Sequence, residues 1–548
     1  MAAQPAHGAM AEMPTYRRNL SPNELSYFLP SRAYGLNDLI NRMVIHAPPS
    51  LISPLRVRIA WAIIRLRHSL LACRVEMAPG CYDEAQFALT PPSSPSQALA
   101  EATACVRIFH DATGPELMHR FLNGSRTLAS DTLSRLDVAC HGQVSPGTHE
   151  FHLILMIHHM INDSLATSET EQLLCELLGG PATPGGAPRT DAELGGILDE
   201  EWKRRWGCAR ILGRGWSRVQ EAAWKIDHQN IQKQLIGGHV FPRSKSPTGS
   251  TSMRLIHARF SLLQTKKLFA TCKAQRVTLA NATFAAFNFA WIRLYTLHPE
   301  IEAPKDLPML MYTAISLRRH LPRASPLESN MSLGLEYHGV VLPAFLPRDE
   351  ETKKKVFWER ARKAQAQMRR HARSPLLLQR AVVSGMVRAE RAKAWARVDD
   401  GTSSASSPAQ NPNSVPSLAL LGITHAARDP SASAPASRLS VNPAPQIKVV
   451  DMCGAARKAP GGLLVTTHVF AGQFRMSLCW DADGFAPGLM EEFWGCVVDA
   501  VCEFVIGEGQ NEPSSTKGEK EREQVEVVDC LKDERGVGPG AVRGRAKL

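Results

Sequence analysis

The residues best suited to chemistry stand at the end of one apolar run, where Phe151-His152-Leu153-Ile154-Leu155-Met156-Ile157 leads into His158-His159-Met160-Ile161-Asn162-Asp163. An imidazole is the usual biological base near neutral pH, and one at the mouth of a buried strand can take a proton from a substrate hydroxyl or amine. A strand over 150–157 alternates its faces, putting Phe151, Leu153, Leu155, Ile157 and His159 on one side and His152, Ile154, Met156 and His158 on the other. Histidines that point opposite ways are poorly placed to grip one ion, so no metal is expected at His158, His159 and Asp163. Asp163 falls where the strand gives way to a Leu-rich helix, the position of a capping or orienting carboxylate. The competing reading makes both histidines satisfied core residues, and the dipeptide alone does not separate the two.

The elements that must position these groups follow from periodicity. Ser21-Pro22 opens a short helix. Ser53-Pro54 opens a longer one, with Val57, Ala60, Trp61, Ile64 and Leu71 recurring on one face. Residues 90–98 read as a Pro- and Ser-rich loop, and a helix is predicted over 125–136. A helix over 165–178 stops at Gly179-Gly180. A second half brings strand 252–260, helices 262–272 and 278–295, strand 308–316, a hairpin over 463–470 and 474–480, and a closing helix over 485–505. Strands and helices alternate in both halves, which predicts α/β layers packed together. The expected division is a disordered N-terminus (1–18), a first lobe (19–236), a linker (237–251), a second lobe (252–506) with a disordered Ser/Pro insertion (401–416), and a flexible charged tail (507–548).

Composition narrows the classes. The chain has 548 residues, 44% hydrophobic and 21% charged, in the range of soluble globular proteins. Its net charge of +12 is carried by one segment: 353–397 holds 14 Lys/Arg against 2 Asp/Glu, and the rest balances at 50 against 50. That segment could meet phosphates or an anionic membrane, against the plainer reading of a solvated helix face. Without interleaved aromatic platforms, nucleic-acid binding is disfavoured. No stretch is apolar enough to span a membrane, and residues 1–18 lack the apolar core of a secretory signal. The 12 cysteines show no C-x-x-C pair and read as reduced, mostly buried thiols.

His-His-x-x-x-Asp at a strand end resembles the condensation-domain-like acyltransferases, among them chloramphenicol acetyltransferase, plant alcohol acyltransferases, nonribosomal peptide condensation domains and fungal trichothecene acetyltransferases. Leu66-Arg67-His68-Ser69-Leu70-Leu71 looks like the Arg-His-x-x-Leu element that precedes the motif in condensation domains. Ile315-Ser316-Leu317-Arg318-Arg319-His320-Leu321, followed by Val341-Leu342-Pro343, looks like the segment carrying the structural Arg. The likeness covers roughly residues 20–505. It departs at Ser164, where the family has Gly, and Trp480-Asp481-Ala482-Asp483-Gly484-Phe485 only distantly echoes the Asp-Phe-Gly-Trp-Gly element of the plant enzymes.

The resemblance implies two chloramphenicol-acetyltransferase-like α/β sandwich lobes with a tunnel between them, no bound cofactor, and acyl-CoA as co-substrate. It makes His159 the base, His158 a support, and Asp163 the carboxylate that holds the histidine loop by pairing with an arginine, for which Arg318 is the candidate. Thr466 and Thr467 are candidate oxyanion donors, against the plain reading of β-branched filler. Ala546-Lys547-Leu548 looks like the Ser-Lys-Leu peroxisomal address, implying a peroxisomal monomer that meets an import receptor, with the cytoplasm as alternative. Mannosylerythritol lipid acyltransferases resemble the chain in motif, size and this address, implying acyl transfer to a glycolipid hydroxyl. The alternatives are a carrier-protein-dependent condensation enzyme, an acetyltransferase of another secondary metabolite, and a silent binding scaffold.

Overall fold

The computed structural model describes residues 14–179, 189–205, 218–235, 237, 239, 241–242, 244, 251–301, 307–320, 331–401, 422–425, 447–507 and 525–532. The expected insertion beyond residue 401 and the Ala546-Lys547-Leu548 ending lie outside them. Strand β1 (Tyr16–Asn19) leads into α1 (Pro22–Tyr34), so residues 16–18 belong to the fold and not to a disordered N-terminus. Ser21 and Glu24 cap α1 reciprocally, each side chain accepting from the other's backbone N–H, and Gly35 ends the helix at φ +69°.

The chain continues through β2 (Leu39–Ala47), α2 (Pro54–Arg67), β3 (Arg74–Glu76), β4 (Gln86–Leu89), α3 (Pro95–Ala104), β5 (Val106–Phe109), α4 (Gly114–Asn123), β6 (Ser134–Ser145) and β7 (Thr148–Ile157). Then come helices α5 (Ser164–Gly179), α6 (Asp191–Arg205) and α7 (Arg218–Gln232). Two expectations fail here. The Pro/Ser segment taken as loop contains the start of α3, because Ser94 caps it and Pro95 fits the first helical turn. The helix expected over 125–136 is irregular chain entering β6; Leu128, Leu133 and Leu136 are all buried, but from a loop and a strand.

The second half runs β8 (Met253–Arg259), α8 (Leu262–Ala274), α9 (Leu279–Leu297), β9 (Met309–Ser316), β10 (Leu335–Leu342), α10 (Glu350–Ala372), α11 (Leu377–Asp399), β11 (Gly422–His425), β12 (Lys448–Ala456), β13 (Leu463–Phe470), β14 (Gln473–Asp481), α12 (Leu489–Val501) and β15 (Glu526–Asp529). No helix among the described residues is long and apolar enough to cross a membrane.

The lobes are not cut cleanly from the chain. The first lobe's large sheet has the order β12-β2-β7-β6-β5, so β12 leaves the second half and pairs antiparallel with β2. A small sheet, β1-β4-β3, flanks it. The second lobe's sheet runs β10-β9-β11-β13-β14-β8-β15. Its edge strand β15 falls within the segment expected to be a flexible tail, and it pairs with β8 because Val528 and Cys530 are buried there. The expected linker also holds a core anchor: Phe241 is 1% exposed and stacks on Trp291 at 4.2 Å and 6°. Each lobe has its own apolar core, and a third cluster joins them, with Ile40, Ile154 and Met156 from the first packing against Met253, Leu255 and Cys479 from the second.

Candidate active site

β7 is central in its sheet, paired with β2 on one side and β6 on the other, so its end is rigidly placed. The strand stops at Ile157, and residues 159–161 form a single 3-10 turn. This turn, rather than continued strand alternation, sets the directions of the two histidines.

His158 is 1% exposed and committed on both nitrogens. Its Nδ1 accepts from the Met160 N–H at 3.3 Å, so Nε2 bears the proton and donates to Ser31 Oγ at 2.6 Å. Ser31 in turn donates to the Phe28 carbonyl at 2.8 Å. Burial holds the imidazolium well below its usual range, and the ring fastens α1 to the histidine turn.

His159 is arranged differently. Its Nδ1 lies 3.0 Å from the Asn162 carbonyl, which can only accept, so Nδ1 carries the hydrogen and Nε2 keeps a lone pair. Burial lowers its pKa to about 4, leaving the ring neutral at pH 7. One face rests on Tyr27 with centroids 4.4 Å apart. Tyr27 meets Tyr337 through their hydroxyls, and the Arg388 guanidinium lies over both rings.

Asp163 is engaged from three directions. Oδ1 accepts from the Leu165 and Ala166 N–H groups at 3.1 and 3.0 Å, capping α5. Arg318, just beyond β9, donates Nε to both oxygens at 3.1 and 3.0 Å and brings Nη2 within 3.0 Å of Oδ1. The Gly334 N–H adds a bond to Oδ2 at 3.0 Å. The ion pair thus ties the histidine turn of one lobe to the β9–β10 region of the other. Ser164 needs no special backbone: the positive-φ non-glycine residues described are Asn37, Arg276 and Ala471.

Between the lobes lies a cavity of about 240 Å³ lined by His159, Asp163, residues of α5, and strands from both sheets. Thr466 and Thr467 both border it, but strand register separates them. Thr466 is opposite Ser477 on the cleft side, whereas Thr467 is opposite Met476, which belongs to the second lobe's core. Thr466 is therefore the better placed hydroxyl. Glu171, absent from the sequence-derived candidates, also lines the cavity and is 4% exposed. Burial pushes its pKa up to about 8. Local spacing did not single it out, because α5 also carries Thr167, Glu169, Thr170, Gln172 and Glu176.

The remaining candidates are structural. Arg67 pairs with Glu201 at 2.9 Å and His68 is buried. Asp481 accepts from the Ser252 and Gly461 N–H groups at 2.8 and 2.6 Å, pinning the end of β14. The basic segment forms α10 and α11, and it is no uniformly solvated face. Arg360 donates to Asn288 at 2.6 Å, Arg380 pairs with Asp227 at 2.7 Å, and Lys393 meets Asp83 and Glu390. Near the start of β7, His141, Glu150 and His152 place ligand-type atoms within 4.8 Å of one another. Glu150 there bonds His46 and His152, each at 3.2 Å, an arrangement that satisfies the carboxylate within the protein.

No protein-family model matches the sequence, and no curated protein does. Solved structures do match. TRI3 trichothecene 15-O-acetyltransferase from Fusarium sporotrichioides superposes with a TM-score of 0.65 at 11% identity, over 91% of this chain and 98% of that one. The chain has the two-lobe condensation/acyltransferase fold. The condensation domain of the monacolin K polyketide synthase MokA matches the same fold at a TM-score of 0.55 and 13% identity, over 90% of this chain and 98% of its own. The EpoB cyclization-docking bidomain from Sorangium cellulosum gives 0.53 and 13%, covering 92% and 88%. Within this condensation-type fold, His159 and Asp163 sit in the cleft between the two lobes.

Proposed function

We propose that the chain is an O-acyltransferase that moves a short- or medium-chain acyl group from acyl-CoA to a hydroxyl of a glycolipid such as mannosylerythritol, in secondary-metabolite or biosurfactant biosynthesis. The observation that carries the reading is the unprotonated Nε2 of a neutral His159 at an inter-lobe cavity. The acceptor hydroxyl gives its proton to Nε2 as its oxygen attacks the thioester carbonyl. The resulting oxyanion needs a donor, and the Thr466 hydroxyl, which lines the cavity from the second lobe, is the candidate. Collapse breaks the C–S bond, and the proton held on Nε2 passes to the leaving thiolate, restoring the neutral ring. No acyl-enzyme is needed. Asp163 does not touch substrate; with Arg318 it fixes the turn that aims the base.

A hydroxyl acceptor is supported by the fold shared with an O-acetyltransferase. The glycolipid rests on the resemblance to mannosylerythritol lipid acyltransferases, and peroxisomal import on Ala546-Lys547-Leu548. The test is purified protein with butyryl- or octanoyl-CoA and deacylated mannosylerythritol lipid, read by thiol release and product mass. Acceptor-dependent release that disappears in His159→Ala supports the reading. Transfer only from a carrier-bound thioester would replace CoA as donor, and no transfer from either would end it. A fluorescent fusion losing its punctate pattern without Lys547 and Leu548 tests the address.

A further inference from the structure

Helix α5 presents Ser164, Leu165, Ser168 and Glu171 to the inter-lobe cavity, a single stripe at positions i, i+1, i+4 and i+7 that forms one wall beside His159. Glu171 is the anomaly on that wall. It is 4% exposed, and among the described residues nothing hydrogen-bonds its buried Oε1. A buried carboxyl oxygen without a protein partner is unfavourable, and a ligand can supply what the protein withholds.

The lining is largely apolar, with Leu39, Leu165, Leu335, Met452 and Leu464, and beside His159, Asp163 and His468 its neutral polar side chains say what that ligand is. Asn41, Ser164, Ser168, Ser316 and Thr466 are neutral groups that each donate and accept. Arg318 is spent on Asp163. Burial pushes the Glu171 carboxyl up to about 8, so at neutral pH it is protonated, with one hydrogen to give and a carbonyl oxygen to receive. That is the complement of an alcohol. An ammonium, which only donates, would need the ionised form.

We propose that Glu171 holds a second hydroxyl of the acceptor while His159 takes the proton of the first, so that the substrate class is a neutral polyol with neighbouring hydroxyls. The inference rests on the acyl-transfer reading for the role of His159 but not for the binding contact itself. Glu171 is a specificity residue: it touches the acceptor and takes no part in breaking the thioester.

The test compares two probes that differ by one hydroxyl, octanol and the vicinal diol of octane, binding to the full chain by calorimetry. Wild type binds the diol about tenfold tighter, the worth of one good hydrogen bond. Glu171→Gln keeps most of that preference, because an amide also donates and accepts. Glu171→Met binds both alcohols alike, and its melting temperature equals or exceeds that of wild type, since an unpartnered buried acid has been removed. Equal binding of the two alcohols by wild type overturns the proposal, as does a diol preference that survives in Glu171→Met. A lowered melting temperature with weaker binding of both alcohols also overturns it, by making Glu171 structural. Tighter binding of octylamine than of the diol, lost in Glu171→Gln, overturns the polyol assignment in favour of a cation. Diol-selective binding without any thioester cleavage leaves this site standing and sinks the acyl-transfer reading instead.

Discussion

At the scale of single residues, the two adjacent histidines differ through the partners of their nitrogens. His158 spends both on the scaffold and His159 spends one, which leaves a base. His159→Ala is expected to lower kcat by about 10²–10⁴-fold with little change in melting temperature. The imidazolium of His159 cannot accept a proton, and it forms only near pH 4, so activity should persist well below pH 6.5 and fall as pH drops through about 4. A pH–rate profile checks this. Stability moves the same way: a histidine whose folded pKa is depressed stabilises above its unfolded value near 6.5 and loses that contribution as pH falls towards about 4. His338 and His371, lowered by burial to about 3 and about 4, act in the same sense, so melting temperature should decline from pH 6.5 downwards. Arg318→Ala strands a buried Asp163 carboxylate and should remove about 3 kcal/mol in a urea titration, while Asp163→Asn combined with Arg318→Gln should lose less than the sum of the single changes. The His-His-x-x-x-Asp spacing made this cluster legible. Glu171 was not, because its meaning depends on what lies across a cavity, which no local spacing encodes.

At the scale of elements, strands and helices with an unbroken local period were readable, as in the β13–β14 hairpin, α9 and β7. The misreadings came where composition and position disagree. Ser94-Pro95 looked like loop material but starts α3, and the buried leucines near 128–136 looked helical but line a loop and β6. Pairing between distant segments leaves no local trace, so β12 crossing to β2 and β15 joining β8 were invisible. The crossing shapes the cavity. A Cβ on Gly454 of β12 would lie 2.2 Å from Asn41 Oδ1, and Asn41 lines the cleft. Gly454→Ala should therefore turn Asn41 into the cavity and raise the acceptor KM severalfold, while the melting temperature falls little, since a side-chain end yields cheaply; steady-state kinetics and a melt separate the two. Phe241, in the segment expected to link the lobes, stacks on Trp291 and packs edge-on against Phe493 at 4.8 Å. Phe241→Ala should cost about 3–5 kcal/mol by denaturant titration, where a true linker residue would cost almost nothing.

At the scale of the whole molecule, the lobes share a strand, an apolar cluster and an ion pair across the active cleft. Alternating strands and helices made the packed α/β layers legible and the resemblance implied the two lobes; the extent of this sharing was not legible. It predicts that calorimetry finds one main unfolding transition, and that Leu255→Ala in the shared cluster lowers it as a whole. Two separated transitions would show independent lobes. The same sharing explains how a turn at the end of one sheet can be aimed by an arginine from the other lobe, since a rigid seam keeps the base, its support and the facing Thr466 in register.

The most direct test of the central claim is acceptor-dependent release of free CoA, measured side by side for wild type and His159→Ala at matched folded concentration. The proposed function predicts turnover in the first and a loss of at least about a hundredfold in the second, with acyl-CoA binding retained. Equal turnover in the two proteins would contradict it.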